Sequence, residues 1–447
     1  MNSSTSSPST SSSSIQPLTA GGRYTVLVIA FLGWLFAGTQ MSITPLVSRA
    51  STASFLWPDE PTKSWATTLD KSEINLREQL IGKWFAANNA AFLLGAAAGG
   101  IAFGWFGDRF GRTKAVGWSI LFYTGFSGVS FWSQDPSQFV VLRFLACLGV
   151  GGMWPNGIAL VSEAWSNVSR PTLSGIIGTS ANVGLVLVAL VTMIPQYAIT
   201  QSTWRWFMLI SAIPLPLGLL ALYVLPESPR WLASRNAPKV AGEKVPLVEI
   251  FVPPLLGFTL VGILLSTVPL FGGWGSGNWL VPWTAQVWDN VEPAYKSYTQ
   301  FARSFGGTIG SLVGGWIASM LGRRRSYFLM SLLSLLASEY IYFFLHPEHP
   351  HFLWWVGIIG VTGGFFFGWM PLCFPEMFPT RVRSTGSGVT FNFGRITSAL
   401  GVYGAGLLIQ KLQGDYSMVG RYTSLIYVAG MIVILLAPDT SKKNIDE

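Results

Sequence analysis

The chain has 447 residues, of which 50% are hydrophobic and only 11% are charged. Soluble proteins carry about 25% charged residues, so the composition argues against a water-soluble protein and predicts one embedded in a bilayer. The formal net charge is +8. Nucleic-acid binding would need these cations in one patch. Because they are dispersed among short polar segments, we expect no nucleic-acid partner.

The apolar residues form twelve segments of about 20 residues, the length that crosses a bilayer as an α-helix. The sequence therefore predicts an all-α membrane protein with twelve transmembrane helices. The predicted spans are 24–47, 84–106, 115–132, 139–163, 172–194, 204–225, 252–280, 298–321, 326–345, 352–374, 384–409 and 421–437. Residues 1–20 are rich in Ser and Thr and are predicted to be a disordered tail without a removable signal peptide.

The distribution of Lys and Arg predicts the orientation of the spans. An even number of spans places both termini on one side of the membrane. If that side is the cytoplasm, most basic residues of the short loops also lie there, as the positive-inside rule requires. We therefore expect a multi-pass protein of the inner cell membrane with both termini in the cytoplasm.

Two short Gly-Arg turns join pairs of predicted spans. Residues 104–114 read Gly-Trp-Phe-Gly-Asp-Arg-Phe-Gly-Arg-Thr-Lys, and Gly107 and Gly111 are expected to give this turn backbone freedom. Half a chain later, residues 314–325 read Gly-Gly-Trp-Ile-Ala-Ser-Met-Leu-Gly-Arg-Arg-Arg, with Ser319 in place of the acid. A second repeat aligns residues 162–175 with residues 375–388 without gaps. The chain is therefore predicted to be internally duplicated.

Both turns resemble the loop 2–3 signature of the major facilitator superfamily, and the resemblance covers nearly the whole chain. It implies two related six-helix halves with the solute site between them, and we expect a monomer. The halves are predicted at residues 21–225 and 251–437, with a cytoplasmic linker at 226–250 and a cytoplasmic tail at 438–447. The linker opens with Pro-Glu-Ser-Pro-Arg, which resembles the sugar-porter branch.

The resemblance also implies an inner gate. In this superfamily, charge pairs at the inner helix ends hold the inner side closed while the outer side is open. Such pairs are individually weak, but a network can bias an equilibrium between two conformations. The alternative is ordinary pairing at helix ends in basic loops. The candidate gating residues are Asp108, Arg109, Arg112, Glu163, Arg170, Glu227, Arg230, Arg323, Glu376 and Arg383.

Ionisable residues inside a span are costly and usually functional. Arg395 lies about 18 Å of helix from Arg383, which is near the midplane. It is expected to contact an anionic group of a solute, and the alternative is a structural partner at a neighbouring helix end. Arg143 opens a Gly-rich motif that resembles the fourth span of the superfamily, and it is expected near the outer end together with Arg303.

Uncharged polar and aromatic side chains complete the predicted solute site. Residues 272–279 read Gly-Gly-Trp-Gly-Ser-Gly-Asn-Trp, which predicts an unwound segment of the seventh span. Such a segment is tolerated only where it lines protein or water, and broken helices are typical of transport sites. The candidate substrate-binding residues are Gln40, Asn88, Trp154, Asn156, Asn182, Trp274, Asn278, Trp279, Asn392 and Arg395.

The first span departs from its nearest resemblance. Residues 32–36 resemble the aromatic-acid and sialate-like proton symporters, which continue Asp-Gly-aromatic-Asp. This chain has Ala37 and Gln40 instead, and Met153 replaces an acid in the fourth span. Proton coupling needs a titratable group in the cavity. We therefore predict uniport or anion exchange rather than proton symport, unless Glu339 in the ninth span faces the cavity.

These features predict a secondary transporter that moves a small organic solute by alternating access. A carboxylate or another organic anion is the first choice, and a neutral sugar is the alternative. A membrane enzyme or sensor is less favoured, because no nucleophile–base pair and no long appended domain is seen. The expected partners are the solute and the lipid bilayer. No cofactor is expected and no metal site, although three histidines share the loop at residues 346–351.

Overall fold

The structure is a computed structural model that describes residues 18–165, 170–236, 246–379 and 382–438. Every regular element in these ranges is helical. We refer to residues 18–236 as the N-terminal region and to residues 246–438 as the C-terminal region. The N-terminal region contains α1 (Ala20–Leu56), α2 (Trp65–Thr68), α3 (Lys71–Phe110), α4 (Arg112–Val129), α5 (Pro136–Ala164), α6 (Arg170–Met193), α7 (Trp204–Ile210), α8 (Leu215–Val224) and α9 (Pro229–Asn236).

The C-terminal region has a matching series of long helices. It contains α10 (Pro246–Glu249), α11 (Leu255–Phe271), α12 (Leu280–Trp288), α13 (Tyr295–Leu321), α14 (Arg323–Phe344), α15 (Phe352–Glu376), α16 (Arg383–Lys411), α17 (Tyr416–Ser424) and α18 (Ile426–Val433). We call the end of the bundle that carries Arg23 and Ala437 the inner end, and the opposite end the outer end.

Each predicted span lies mostly on helix, although residues 211–214 form a turn within the span 204–225. Eight helical stretches of the described residues are long and apolar enough to cross a membrane. The predicted boundaries at the outer end were wrong. The helix α1 continues to Leu56, where the prediction ended at residue 47, and α3 begins at Lys71 rather than at residue 84. A hydropathy criterion finds only the part of a helix that matches the hydrocarbon core. Polar turns that continue the helix are therefore missed.

In each region, a pair of long helices packs closely through glycine. In the N-terminal region α3 packs on α5, and a Cβ added at Gly99 would lie 1.9 Å from the carbonyl oxygen of Leu148. In the C-terminal region α13 packs on α15, and a Cβ added at Gly310 would lie 2.0 Å from the carbonyl oxygen of Val361. Only glycine permits such close backbone contact. The two regions therefore share the same kind of central helix pair.

The two Gly-Arg turns adopt similar backbone conformations. Gly111 ends α3 with φ 116°, and Gly322 ends α13 with φ 84°. Residues other than glycine rarely adopt these angles. Gly107, by contrast, lies within α3, where an added Cβ would lie 2.0 Å from Asn156 Oδ1. The expectation that Gly107 supplies backbone freedom is wrong, since its position requires space instead.

The Gly-rich stretch after α11 departs from regular α-helix, but the prediction that it is unwound was wrong. Residues Gly272–Ser276 form a π-helical turn, and Gly277–Trp279 form a 3₁₀ turn before α12 begins. The chain changes its hydrogen-bond pattern without leaving a helical path. Segments of this kind occur frequently at functional sites.

Candidate solute site and charged ends

One face of α3 contacts the C-terminal region from the outer end to the middle of the bundle. Its residues are spaced three or four apart, which places them on one side of a helix. We call this set the α3 face. Seven residues of this face each contact one residue of the C-terminal region. From the outer end inwards, the contacts are Glu78–Tyr416, Gly82–Ile409, Phe85–Trp279, Asn89–Asn278, Phe92–Trp274, Ala96–Arg395 and Gly100–Asn392. Five of the predicted substrate-binding residues are thus brought together.

Arg395 extends from α16 to the middle of this face. Its Nη1 donates hydrogen bonds to the carbonyl oxygen of Ala96 and to Asn392 Oδ1, both at 3.2 Å. The guanidinium also lies 4.5 Å from the ring centroid of Phe391. Arg395 is only 6% exposed and forms no ion pair among the described residues. Its charge is therefore buried between the two regions without an acid.

Arg143 lies deeper than the sequence indicated. Its Nη2 donates to the carbonyl oxygen of Gln40 at 2.6 Å, and its guanidinium lies 5.8 Å from the ring centroid of Phe92. Phe92 is one helical turn, about 6 Å, from Ala96, the residue that Arg395 contacts. Arg143 is 6% exposed and likewise has no acidic partner among the described residues.

Cys147 lies near both Arg143 and Arg395. It lies one turn beyond Arg143 on α5 and within electrostatic range of the guanidinium groups of both Arg143 and Arg395. Both guanidinium groups therefore lie near this one buried side chain. Sequence reasoning identified Arg143 as a motif residue but did not include it in the solute site, because a motif does not reveal where a long side chain ends.

Amides and aromatic rings lie on the outer side of the arginines. Asn278 donates to Asn89 Oδ1 at 3.0 Å across the two regions, and the ring centroids of Phe92 and Trp274 lie 4.2 Å apart. The Oδ1 atoms of Asn278 and of Asn88 are buried, and neither has a hydrogen-bond partner among the described residues. Each of these atoms is therefore a buried acceptor without a protein partner among the described residues.

Gln40 lies inside the N-terminal region rather than on the α3 face. Its Nε2 donates to the carbonyl oxygen of Ser211 at 3.1 Å, and its Oε1 accepts from the Ser127 hydroxyl at 2.6 Å. Both polar atoms of the Gln40 amide therefore already have hydrogen-bond partners within the protein. Gln40 is linked to the site through its main-chain carbonyl oxygen, which accepts a hydrogen bond from Arg143.

Three other predicted substrate-binding residues also lie away from the α3 face. The ring centroid of Trp154 lies 4.9 Å from that of Trp34. Asn156 is fully buried and donates to two main-chain carbonyl oxygens near the inner end. Asn182 donates to Ser311 Oγ at 3.1 Å, in a separate contact between α6 and α13.

At the inner end, the charged side chains of the N-terminal region contact polar groups of the same region. Asp108 and Arg112 form an ion pair of 2.6 Å, and Asp108 is 66% exposed. Glu227 accepts the main-chain N–H of Arg112 at 3.0 Å and so caps α4. Glu163 accepts a hydrogen bond from the Ser228 hydroxyl. These contacts join the linker to the turn and to α5.

The C-terminal region pairs its inner charges differently. Ser319 replaces the acid of the first turn, so Arg323 cannot form the pair that Arg112 makes with Asp108. Arg323 instead forms a two-pronged contact with Glu376, with distances of 3.2 Å and 2.8 Å. This pair is largely buried, with side-chain exposures of 14% and 6%. The repeat thus retains a pair at this depth with a different acid.

The remaining predicted gating residues contribute less to the described contacts. The guanidinium of Arg109 lies 5.5 Å from the Trp105 ring centroid, and Arg383 begins α16. The side chains of Arg170 and Arg230 lie outside the described part of the structure. Each ion pair described at the inner end joins two residues of the same region.

The outer end holds a buried charge network that the sequence analysis did not find. Arg49 Nη1 lies 2.5 Å from Glu78 Oε2 in the N-terminal region, and Lys296 Nζ lies 3.0 Å from Asp289 Oδ1 in the C-terminal region. These four side chains are at most 9% exposed. Arg49 and Glu78 were missed because both lie just beyond the predicted spans.

Two contacts made by these pairs cross between the regions. Arg49 Nε lies 3.3 Å from Asp289 Oδ2, and the Tyr416 hydroxyl donates to Glu78 Oε2 at 3.2 Å. We call Arg49, Glu78, Asp289, Lys296 and Tyr416 the outer network. The neighbouring Arg77 differs, because both of its acidic partners belong to the N-terminal region.

The chain is similar to known transporters over most of its length. It is 28% identical to a cis,cis-muconate transport protein of Acinetobacter baylyi, over 69% of this chain and 74% of the relative. It is 24% identical to a sialic acid transporter of Escherichia coli, over 79% of this chain and 84% of the relative. Both comparisons agree with the resemblance of residues 32–36 to the symporters of such acids.

The fold is also similar to that of a solved transporter structure. A D-xylose–proton symporter aligns with a TM-score of 0.69 at 18% identity, covering 94% of this chain and 99% of that chain. At this identity the similarity concerns the fold alone. The family model of the Major Facilitator Superfamily matches residues 26–402, which confirms the family indicated by the two Gly-Arg turns. The chain therefore belongs to the Major Facilitator Superfamily.

Proposed function

We propose that this protein is a secondary transporter that carries an organic anion, a carboxylate in the first instance, by alternating access. As a member of its superfamily the chain is a multi-pass membrane transporter and not an enzyme. The observation that carries the choice of anion is the pair of buried guanidiniums, Arg143 and Arg395, without an acid among the described residues. Two relatives are named for muconate and for sialic acid, which are organic acids.

Without a bound solute, Arg143 and Arg395 each carry a buried charge that no acid among the described residues compensates. A buried cation without a partner is strongly unfavourable, and a positive charge inside a membrane protein is normally paired or faces a solute pathway. A carboxylate bound between Arg143 and Arg395 would supply the missing negative charge. It could also accept two parallel hydrogen bonds from a guanidinium. The Phe92 and Trp274 rings beside them favour an acid with a flat apolar part.

Alternating access requires two bodies that rock against each other. We assign these bodies to the predicted six-helix halves, residues 21–225 and 251–437, joined by the linker at 226–250. The paired glycine contacts and the two Gly-Arg turns support the duplication. We also assign both termini to the cytoplasm of a monomeric inner-membrane protein, following the positive-inside rule. The predicted inner charges would then close the cytoplasmic side in the opposite conformation.

Uniport or anion exchange remains the proposed mode of transport. Gln40 and Met153 occupy the positions of the missing acids and cannot carry a proton. Glu339 accepts a hydrogen bond from Ser424, which places it between α14 and α17 rather than on the α3 face. This contact supports a packing role for Glu339.

A neutral sugar is the second candidate. The observation in its favour is the set of amide acceptors without partners, Asn88 Oδ1 and Asn278 Oδ1, beside aromatic rings. Sugar hydroxyls would satisfy such acceptors. A sugar would nevertheless leave both guanidiniums uncompensated, which is why the anion is preferred.

Proteoliposomes test the choice between these solutes. Uptake of a labelled dicarboxylate, an aromatic monocarboxylate, a sugar acid and a neutral pentose would be compared for the parent protein and for Arg395→Ala. We expect uptake of at least one acid and its loss in the variant. Saturable pentose uptake that Arg395→Ala leaves unchanged, with no uptake of any acid, would overturn the anion proposal.

A further inference from the structure

The outer network consists of two neutral pairs, one in each region. Arg49 and Glu78 belong to α1 and α3, whereas Asp289 and Lys296 follow α12 and begin α13. Each pair holds one cation and one acid, so neither region depends on the other for charge balance. The Arg49–Asp289 contact joins the two pairs, and the Tyr416–Glu78 hydrogen bond is a second contact between the regions.

Among the polar contacts of the outer network, separating the regions at this end would break these two. Glu78 would keep Arg49, and Asp289 would keep Lys296, because both pairs lie within one region. The costly event in a protein interior is a buried charge left without its partner. That event is avoided here in the closed arrangement and also after separation. The geometry is therefore suited to repeated opening rather than to a permanent link between the regions.

A tightly packed apolar layer lies directly below the network on the α3 face. A Cβ added at Gly82 would lie 2.9 Å from Ile409, and the ring centroids of Phe85 and Trp279 lie 4.9 Å apart. Ile409, Phe85 and Trp279 are at most 1% exposed. The charges and this layer together close the route from the outer end to Arg143 and Arg395.

We propose that the outer network is the outer gate of the transporter, closed in this conformation and parted when solute exchanges with the outer side. The inference rests on the proposed transport function, since a gate requires alternating access. Arg49 and Asp289 are its main positioning residues, because their contact joins the two pairs. Tyr416 adds a neutral cross-contact to Glu78.

The test measures access to a cysteine below the gate. Cys147 and Cys373, both free and buried, are replaced by alanine, and Ala86→Cys supplies the reporter. Ala86 is fully buried and contacts Gly406 of α16 in the packed layer. In oriented proteoliposomes, a membrane-impermeant maleimide is applied at the outer face, and the labelling rate is measured.

Asp289→Asn is expected to raise the labelling rate about tenfold. It removes the cross-contact to Arg49 and leaves Lys296 uncompensated in the closed arrangement, so the open arrangement gains population. Asp289→Glu should restore slow labelling. Tyr416→Phe should raise the rate by a smaller factor of about two or three, since it removes a single hydrogen bond and keeps all four charges.

Glu73→Gln is the matched control. It weakens the contacts of Arg77 at the same end, but Arg77 and Glu73 belong to one region, so the labelling rate should stay at the parent value. Equal rates for the parent, Asp289→Asn and Tyr416→Phe would overturn the gate, as would equal acceleration by Glu73→Gln. If Asp289→Asn does not fold, Tyr416→Phe decides the outcome. Labelling does not depend on the solute, so a failed transport assay would be distinguishable from a failed gate.

Discussion

The two ends of the molecule use charge in different ways. At the inner end, Asp108 pairs with Arg112 and Glu376 pairs with Arg323, and each pair stays within one region. At the outer end, Arg49 reaches across to Asp289. A rigid rocking motion would leave a contact within one region unchanged. Such a contact contributes equally to both conformations and cannot shift their populations.

This difference sets a requirement for the inner charges. If they form a gate, they must exchange their present partners for partners in the other region when the inner side closes. The cross-contacts of the outer network are the corresponding contacts for the conformation seen here. Each of the following predictions tests whether the two ends set the orientation of the transporter while the site between them holds the solute.

The largest effect is expected between the two ends. Arg395→Ala should weaken the apparent affinity for the anion about 100-fold, or about 2.7 kcal/mol, because a charge-assisted contact to a buried carboxylate is lost. Arg395→Lys keeps the charge but lacks the planar fork of donors, so it should recover only part of the loss. Equilibrium binding to the detergent-solubilised protein measures both values. Unchanged affinity in Arg395→Ala would show that the site lies elsewhere.

A smaller effect is expected at the inner end, and it should differ between the two regions. Glu376→Gln removes a carboxylate that is 6% exposed, and breaking a buried ion pair costs about 3–5 kcal/mol of folding free energy. Asp108→Asn removes a carboxylate that is 66% exposed, where pairs contribute about 0.2–1 kcal/mol. Thermal unfolding in detergent should therefore show a clear decrease for Glu376→Gln and little change for Asp108→Asn.

The same two variants also test the inner gate. Loss of either acid should favour the conformation that is open at the inner end, so cysteines placed there should label faster. Equal labelling in both variants and the parent would mean that these pairs only stabilise each region. The outer end would then act as a gate, whereas the charges of the inner end would contribute to stability alone.

Local rules account for the features that the sequence predicted well. Gly111 and Gly322 were found because a tight turn between two spans requires glycine, and both have positive φ. The depth of Arg395 followed from counting along one helix. The outer network could not be found in this way, because Glu78 and Tyr416 are 338 positions apart and meet only through the packing of α3 against the C-terminal region.

The role of Gln40 shows a second limit of sequence reasoning. Its depth in the first span was predicted, but the direction of its side chain depends on Ser127 and Ser211 of other helices. Depth along a helix is a local property, whereas the groups that a side chain meets are set by tertiary packing. The predicted residues of α16 and of 274–279 therefore meet the α3 face, whereas the Gln40 side chain contacts helices of its own region.

The smallest effect is expected from a proton gradient. Gln40 and Met153 cannot titrate, and Glu339 accepts a hydrogen bond from Ser424 between α14 and α17. The outer carboxylates Glu78 and Asp289 each have a cation of their own region as a partner, so opening of the outer end would leave neither of them unpaired. An imposed pH gradient should therefore not drive uphill accumulation of the anion into proteoliposomes. Preloading with unlabelled anion should instead accelerate uptake if the mode is exchange.

The measurement is labelled-anion uptake with and without the gradient, and with a protonophore as control. Accumulation that requires the gradient and disappears with the protonophore would contradict the prediction. Glu339→Gln and Glu78→Gln would then separate the two possible carriers. Loss of coupling only in Glu78→Gln would make the outer network a proton site as well as a gate, and the two ends would differ in chemistry as well as in pairing. Loss only in Glu339→Gln would place coupling inside the C-terminal region and leave the outer network as a gate alone.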